Sequence, residues 1–209
     1  HTKKWKYHKK GDKKGSIDNN DIFALFKDSK ENIWVGTSSS AFGYNRELDE
    51  FEKINDLNYH FILDIIEDPK GNIWFSTYDN GVYKMDCETK EFTSFAPVEN
   101  DTTSICHYKI TCMFVDSQGN LWFASESRGI CMYDADSNNF IRYGSKDGFV
   151  NNVIYKILED DNQNLWLSSN AGIMQFNPKT KKIKSYTLNS GLPSNQFNYK
   201  SGFKDKKGN

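Results

Sequence analysis

Asp68-Pro-Lys-Gly-Asn-Ile-Trp74-Phe-Ser-Thr77 reads as a tight turn running straight into a strand, and the chain repeats it. The same grammar returns as Asp28-Ser-Lys-Glu-Asn-Ile-Trp34, as Asp116-Ser-Gln-Gly-Asn-Leu-Trp122 and as Asp160-Asp-Asn-Gln-Asn-Leu-Trp166. These four tryptophans are spaced 40, 48 and 44 residues apart. A regular period of this length marks a repeat architecture. A fifth copy opens at Asp205-Lys-Lys-Gly-Asn209, and Trp5-Lys-Tyr7 reads as the closing strand of a preceding unit. The expectation is an array interrupted at both ends.

Each unit breaks into four short strands. In the second, Ile62-Leu-Asp-Ile-Ile66 is a mostly apolar run, as a strand covered on both faces requires. Asp68 to Asn72 carries turn chemistry: Asx side chains bond nearby backbone, Pro presets φ and Gly tolerates positive φ. Ile73–Thr77 forms the next strand, Val82–Met85 alternates like a half-buried one, and Phe92–Phe95 closes the unit. No segment sustains a helical period, so helix should be nearly absent. Four antiparallel strands every 40 to 48 residues describe one blade of a β-propeller. The fold expectation is all-β: about four complete four-stranded blades, with partial blades at both ends. The boundaries fall at 1–18 for the end of a preceding blade and linker. Repeats then span 19–58, 59–106, 107–150 and 151–190, and 191–209 starts a fifth. A blade cannot bury both faces alone, so Trp34, Trp74, Trp122 and Trp166 are expected to form the structural core between stacked blades.

Composition bounds the rest. The 209 residues hold 27 Lys and Arg against 28 Asp and Glu, a net charge of −1. Seven lysines cluster in residues 1–14 and eight in 179–209. They lie at the chain ends beside turn residues, which speaks against nucleic acid as a partner. Aromatics make up 15% of the chain, too many for disorder. The longest apolar run is Ile22 to Phe26, far short of the roughly 18 residues a spanning helix needs. Cys87, Cys106, Cys112 and Cys131 lack the spacing of a zinc or redox motif, so buried free thiols are expected. No metal site, cofactor or catalytic constellation is expected. The four histidines form no H-x-x-x-H pair, and there is no P-loop, Rossmann or Gly-x-Ser-x-Gly pattern.

The four Asp…Asn-[Ile/Leu]-Trp motifs, the Asn80-Gly81, Arg128-Gly129 and Ala171-Gly172 turns and the closing strands resemble two-component regulator propeller repeats. Those repeats build the periplasmic sensor region of Bacteroidetes-type hybrid two-component systems. The resemblance covers essentially the whole chain. It implies a parent with two seven-bladed propellers, a β-sandwich linker, one membrane helix, a histidine kinase, a receiver and a DNA-binding output. It further implies a periplasmic location, an oligosaccharide ligand and control of polysaccharide-utilisation genes. Expected partners are the ligand, the remaining blades and a second copy in a homodimer. The chain itself is not expected to be an enzyme. The alternatives are an enzyme on the same scaffold, because Gly-Asn-[Ile/Leu]-Trp-Phe also resembles streptogramin lyase repeats, and a purely structural dimerisation module.

In a propeller, the loop entering the innermost strand and the loop joining the second and third strands open on one face. The first set gives Asn20, His60, Tyr108 and Asn152 as candidate ligand contacts. The second gives Tyr78, Asp79, Asn80, Glu126, Arg128 and Asn170. Amide, carboxylate, guanidinium and aromatic groups suit carbohydrate hydroxyls and ring faces.

Overall fold

The computed structural model describes residues 6–205. Sixteen strands form four separate antiparallel sheets, each in simple meander order. Blade 1 holds β1 (Ile22–Lys27), β2 (Ile33–Thr37), β3 (Ala41–Asn45) and β4 (Glu50–Lys53). Blade 2 holds β5 (Ile62–Glu67), β6 (Ile73–Thr77), β7 (Val82–Met85) and β8 (Phe92–Phe95). Blade 3 holds β9 (Ile110–Val115), β10 (Leu121–Ser125), β11 (Ile130–Asp134) and β12 (Asn139–Tyr143). Blade 4 holds β13 (Ile154–Glu159), β14 (Leu165–Ser169), β15 (Gly172–Phe176) and β16 (Ile183–Tyr186). Among the described residues the only helical elements are three short 3-10 turns. The sheets stack through their first strands: β1 lies against β5, β5 against β9 and β9 against β13. That arrangement is the β-propeller expected from the sequence.

The motif turn works as one hydrogen-bonded unit. Asp68 accepts the backbone N–H of Lys70 at 2.9 Å and of Asn72 at 3.0 Å through Oδ1. Its Oδ2 accepts the Asn72 amide and the Trp74 indole N–H, both at 2.9 Å. Asp28, Asp116 and Asp160 hold Trp34, Trp122 and Trp166 in the same way. The carboxylate therefore closes the turn and fixes the rotamer of the ring six residues on. It also satisfies an indole N–H that burial would otherwise strand.

The first three fixed rings project into the following blade. Trp34 meets Phe75 edge-on, Trp74 packs on Phe123 and Tyr133, and Trp122 meets Phe176. Trp74 and Trp122 are completely buried. Two of the four core expectations need correction in degree, since Trp34 and Trp166 are only partly buried. Trp34 faces Gly43 across the sheet, where Trp74 has Lys84 and Trp122 has Met132, so one side of its ring lacks cover. Trp166 stacks on Tyr186 at 5.2 Å and borders an apolar cleft of about 420 Å³ with Leu158, Ile173 and Phe203.

The innermost strands share a register shift at their second residue in blades 1, 2 and 4, and blade 3 shifts at the same level. Such a bulge re-aims a side chain. Phe23, Leu63 and Thr111 sit at these positions and line the axis of the array. Residues 199–204 form no strand but lie beside β13: Gly202 packs against Lys156 and Leu158, and Tyr199 meets Tyr155 at 4.9 Å. At the other end, Trp5 lies outside the described residues and Lys6 to Lys9 form no strand. The following segment touches blade 1 through a bridge between Gly15 and Phe51.

Candidate functional site

Antiparallel pairing brings the two predicted loop sets to one end of each blade. Ile62 at the start of β5 pairs with Thr77 at the end of β6, and Tyr78 N–H donates to Phe61 O at 3.0 Å. The β2–β3-type loops then reach across to the next blade. Gly81 N–H donates to Tyr108 O at 2.6 Å, Gly129 to Asn152 O at 2.9 Å and Gly172 to Asn195 O at 2.6 Å. These glycines adopt positive φ, and a Cβ on Gly81 would collide with Phe95 O. Blade 1 has Ala41 instead, already inside β3.

An axial cavity of about 330 Å³ opens at this end, lined by Phe23, Leu63, Tyr78, Lys109, Thr111 and Tyr199. Tyr78 stacks on Phe61 with ring centroids 5.4 Å apart and is 46% exposed. Lys109 Nζ lies 4.1 Å from the Tyr78 ring and donates to Glu126 at 2.6 Å. The Tyr199 hydroxyl donates to the same Glu126 oxygen at 3.0 Å. Burial alone would depress the Lys109 pKa, but Glu126 and Tyr199 outweigh it and hold the ammonium above its usual range. Burial likewise opposes the Glu126 charge, and its bonds to Lys109 and Tyr199 keep that carboxyl below its usual range. The pair stays charged across neutral pH. It presents a fixed donor and acceptor among aromatic faces.

The other candidates divide. Tyr108 and Arg128 meet at a neighbouring depression of about 540 Å³ beneath the 96–109 connection. His60 is half-buried. Its Nδ1 contacts the Asn80 amide at 3.2 Å and its Nε2 the Tyr83 hydroxyl at 3.0 Å. Asp79 accepts from Asn80 at 2.9 Å. These three residues knit their own loop. Asn20 Oδ1 receives Lys10 N–H at 2.8 Å, and Asn152 donates to Ser145 at 3.2 Å with its carbonyl oxygen buried. Asn170 stands exposed.

Lys109 and Tyr199 escaped the sequence reading. Tyr199 carried a usable signal: it precedes Asp205 by the interval that separates Ile62 from Asp68 and Ile154 from Asp160. Lys109 carried none, because that position holds Asp21, Phe61 and Val153 in the other repeats. Among the described residues no group of three His, Cys, Asp or Glu side chains could hold a metal ion. No described helix is long and apolar enough to cross a membrane.

Comparison with known proteins adds identity to this geometry. A histidine kinase P4 from Formosa agariphila is 28% identical over 192 residues, which cover 88% of this chain and 10% of that protein. The extracellular domain of a hybrid two-component system from B. thetaiotaomicron superposes with a TM-score of 0.79 at 18% identity, over 92% of this chain and 27% of its own. A streptogramin B lyase superposes with a TM-score of 0.63 at 16% identity, over 88% of this chain and 59% of the lyase. The chain thus spans a tenth of the kinase it matches and about a quarter of that extracellular domain. The model of the two-component regulator propeller matches residues 16–39, 56–79, 104–127 and 148–171. Each match covers an innermost strand, its aspartate turn and the tryptophan strand that follows, so these four segments of the chain match the two-component regulator propeller repeat.

Proposed function

We propose that this chain is a ligand-sensing part of the extracytoplasmic, periplasmic propeller region of a hybrid two-component sensor. It takes an oligosaccharide at the axial end and relays occupancy to a histidine kinase that controls polysaccharide-utilisation genes. The remaining blades of the parent and a second copy are its structural partners. The observation that carries this reading is the cluster of Tyr78, Lys109, Glu126 and Tyr199 around the axial cavity. Aromatic faces beside a fixed ammonium and carboxylate suit sugar rings and hydroxyls. The exposed Tyr108 and Arg128 extend the same face. Titration calorimetry of the intact sensor region against an oligosaccharide panel tests it. Tyr78→Ala and Arg128→Ala should each weaken binding about tenfold or more, some 1.4 kcal/mol. Unchanged affinity in both variants removes the axial end as the site.

A lyase reading rests on the shared fold and on the Gly-Asn-[Ile/Leu]-Trp-Phe likeness. The His60 ring is held within its own blade by the Asn80 amide and the Tyr83 hydroxyl, and it does not line the axial cavity. Turnover of a streptogramin by the purified chain would reverse the preference.

A further inference from the structure

The 96–109 connection between β8 and β9 carries the extra residues that stretch the Trp74–Trp122 interval to 48. It runs over blade 3 rather than away from it. Arg142 on β12 donates Nε to Ser104 O at 2.9 Å and Nη2 to Asp101 O at 2.9 Å and Ile105 O at 3.0 Å. Phe140 N–H donates to Thr103 O at 2.7 Å. Beneath this clamp Cys106, at the end of the connection, faces Cys131 on β11. Both are buried, at 5% and 0% exposure, in the core between blades 2 and 3.

The two thiols have their sulfurs 2.7 Å apart. Non-bonded heavy atoms settle at about 3.5–4.0 Å, and a bonded sulfur pair at about 2.05 Å. We propose that Cys106 and Cys131 form a disulfide that staples the long connection onto blade 3. Cys87 and Cys112 remain thiols. The reaction is exchange with a small-molecule or protein disulfide. The thiolate of one cysteine attacks the donor S–S bond, forming a mixed disulfide and releasing one donor thiol. The thiolate of the other then attacks the protein-side sulfur and releases the second. Two electrons pass from the cysteine pair to the donor, and the two protons end on the donor thiols. An oxidising compartment supplies such donors. Burial and the neighbouring sulfur hold the Cys131 thiol well above its usual pKa, so the exchange belongs to folding, before the connection docks. The proposal is independent of the ligand reading, because it needs only an oxidant.

The test refolds the reduced 209-residue chain from urea in a buffer of oxidised and reduced glutathione, followed by denaturing alkylation and peptide mass spectrometry. The expected product carries a Cys106–Cys131 linked peptide pair, with Cys87 and Cys112 alkylated. A second measurement follows the urea midpoint with and without reductant. The midpoint should fall on reduction in the parent and in C87A/C112A, and should not respond in C106A/C131A. Alkylation of all four cysteines after refolding, a mixture linking Cys87 or Cys112, or an equal reductant response in C106A/C131A overturns the proposal.

Discussion

Trp122 and Trp166 carry the same local chemistry and meet different surroundings. Each indole donates to its turn aspartate, at 2.8 Å from Trp122 to Asp116 and 2.9 Å from Trp166 to Asp160. Trp122 then enters blade 4 and is completely buried against Phe176, Leu165 and Met174. Trp166 leaves blade 4 toward residues 201–204 and stays partly exposed over an apolar cleft. The turn positions the ring, and the next blade supplies the burial. The stability of a repeat is therefore a property of its seam more than of its motif, as nearest-neighbour coupling in repeat proteins implies.

The sharpest way to break this comparison is to delete the rings. Trp122→Ala removes a wholly enclosed side chain and should cost about 3–5 kcal/mol in a denaturant melt. Trp74→Ala should match it. If Trp166→Ala costs as much as Trp122→Ala, the seam does not supply the difference. Removing the anchor instead of the ring comes next. Asp116→Ala leaves the buried Trp122 N–H and two backbone N–H groups without their acceptor, which should cost about 1–3 kcal/mol. A Trp122→Phe background, which lacks the indole N–H, should shrink that cost.

Trp166→Ala itself should cost about 1–2 kcal/mol, because the ring keeps one stacked face on Tyr186 but leaves the other side open. The anchor of this blade also reports on acid. Burial opposes the Asp160 charge, but the Asn164 amide and N–H, the Trp166 indole and the Gln175 amide outweigh it and bring its pKa down to about 2. The folded value lies below the unfolded one of about 3.9. Its contribution is complete above that value and drains away as pH falls from about 4 to 2. Unfolding midpoints measured across this window should drop less steeply in Asp160→Asn than in the parent.

Much of the fold was readable because two periods coincide. The motif interval marks the blades, and apolar patterning marks the strands inside each one. Asp68, Asn72 and Trp74 were each readable, as turn residues and core ring. Their joining through one carboxylate was not, because nothing in the spacing shows that Trp74 folds back over its own turn. The bulges at Phe23, Leu63 and Thr111 were hidden too, since a bulge alters pairing without altering composition. At the axial end, antiparallel strand pairing brings the two loop sets together, with Tyr78 lining the cavity and Glu126 bonded to Lys109 at its rim. A sequence does not reveal that polar groups bond one another, as His60, Asp79 and Asn80 do. Trp34 teaches the same lesson for the core: Gly43, its cross-strand neighbour, decides its exposure.

The smallest effect concerns how neighbouring blades recognise each other at the turns. The residue after a motif aspartate meets the residue before the next one. Ser29 donates its N–H and hydroxyl to Glu67, and Ser117 donates both to Glu159 at 2.8 and 2.9 Å. Between blades 2 and 3 the positions hold Pro69 and Val115, which have neither donor nor carboxylate. After blade 4 they hold Asp161 and Lys204, joined by an ion pair at 2.8 Å. The two positions thus change together from polar to apolar to ionic. Because the contacts are exposed, a double-mutant cycle of Ser117→Ala and Glu159→Val should give a coupling of only about 0.5–1 kcal/mol. The same two changes split across seams, Ser29→Ala with Glu159→Val, should be additive. Coupling across seams, or its absence within one, would show that turn pairs do not set the order in which blades stack.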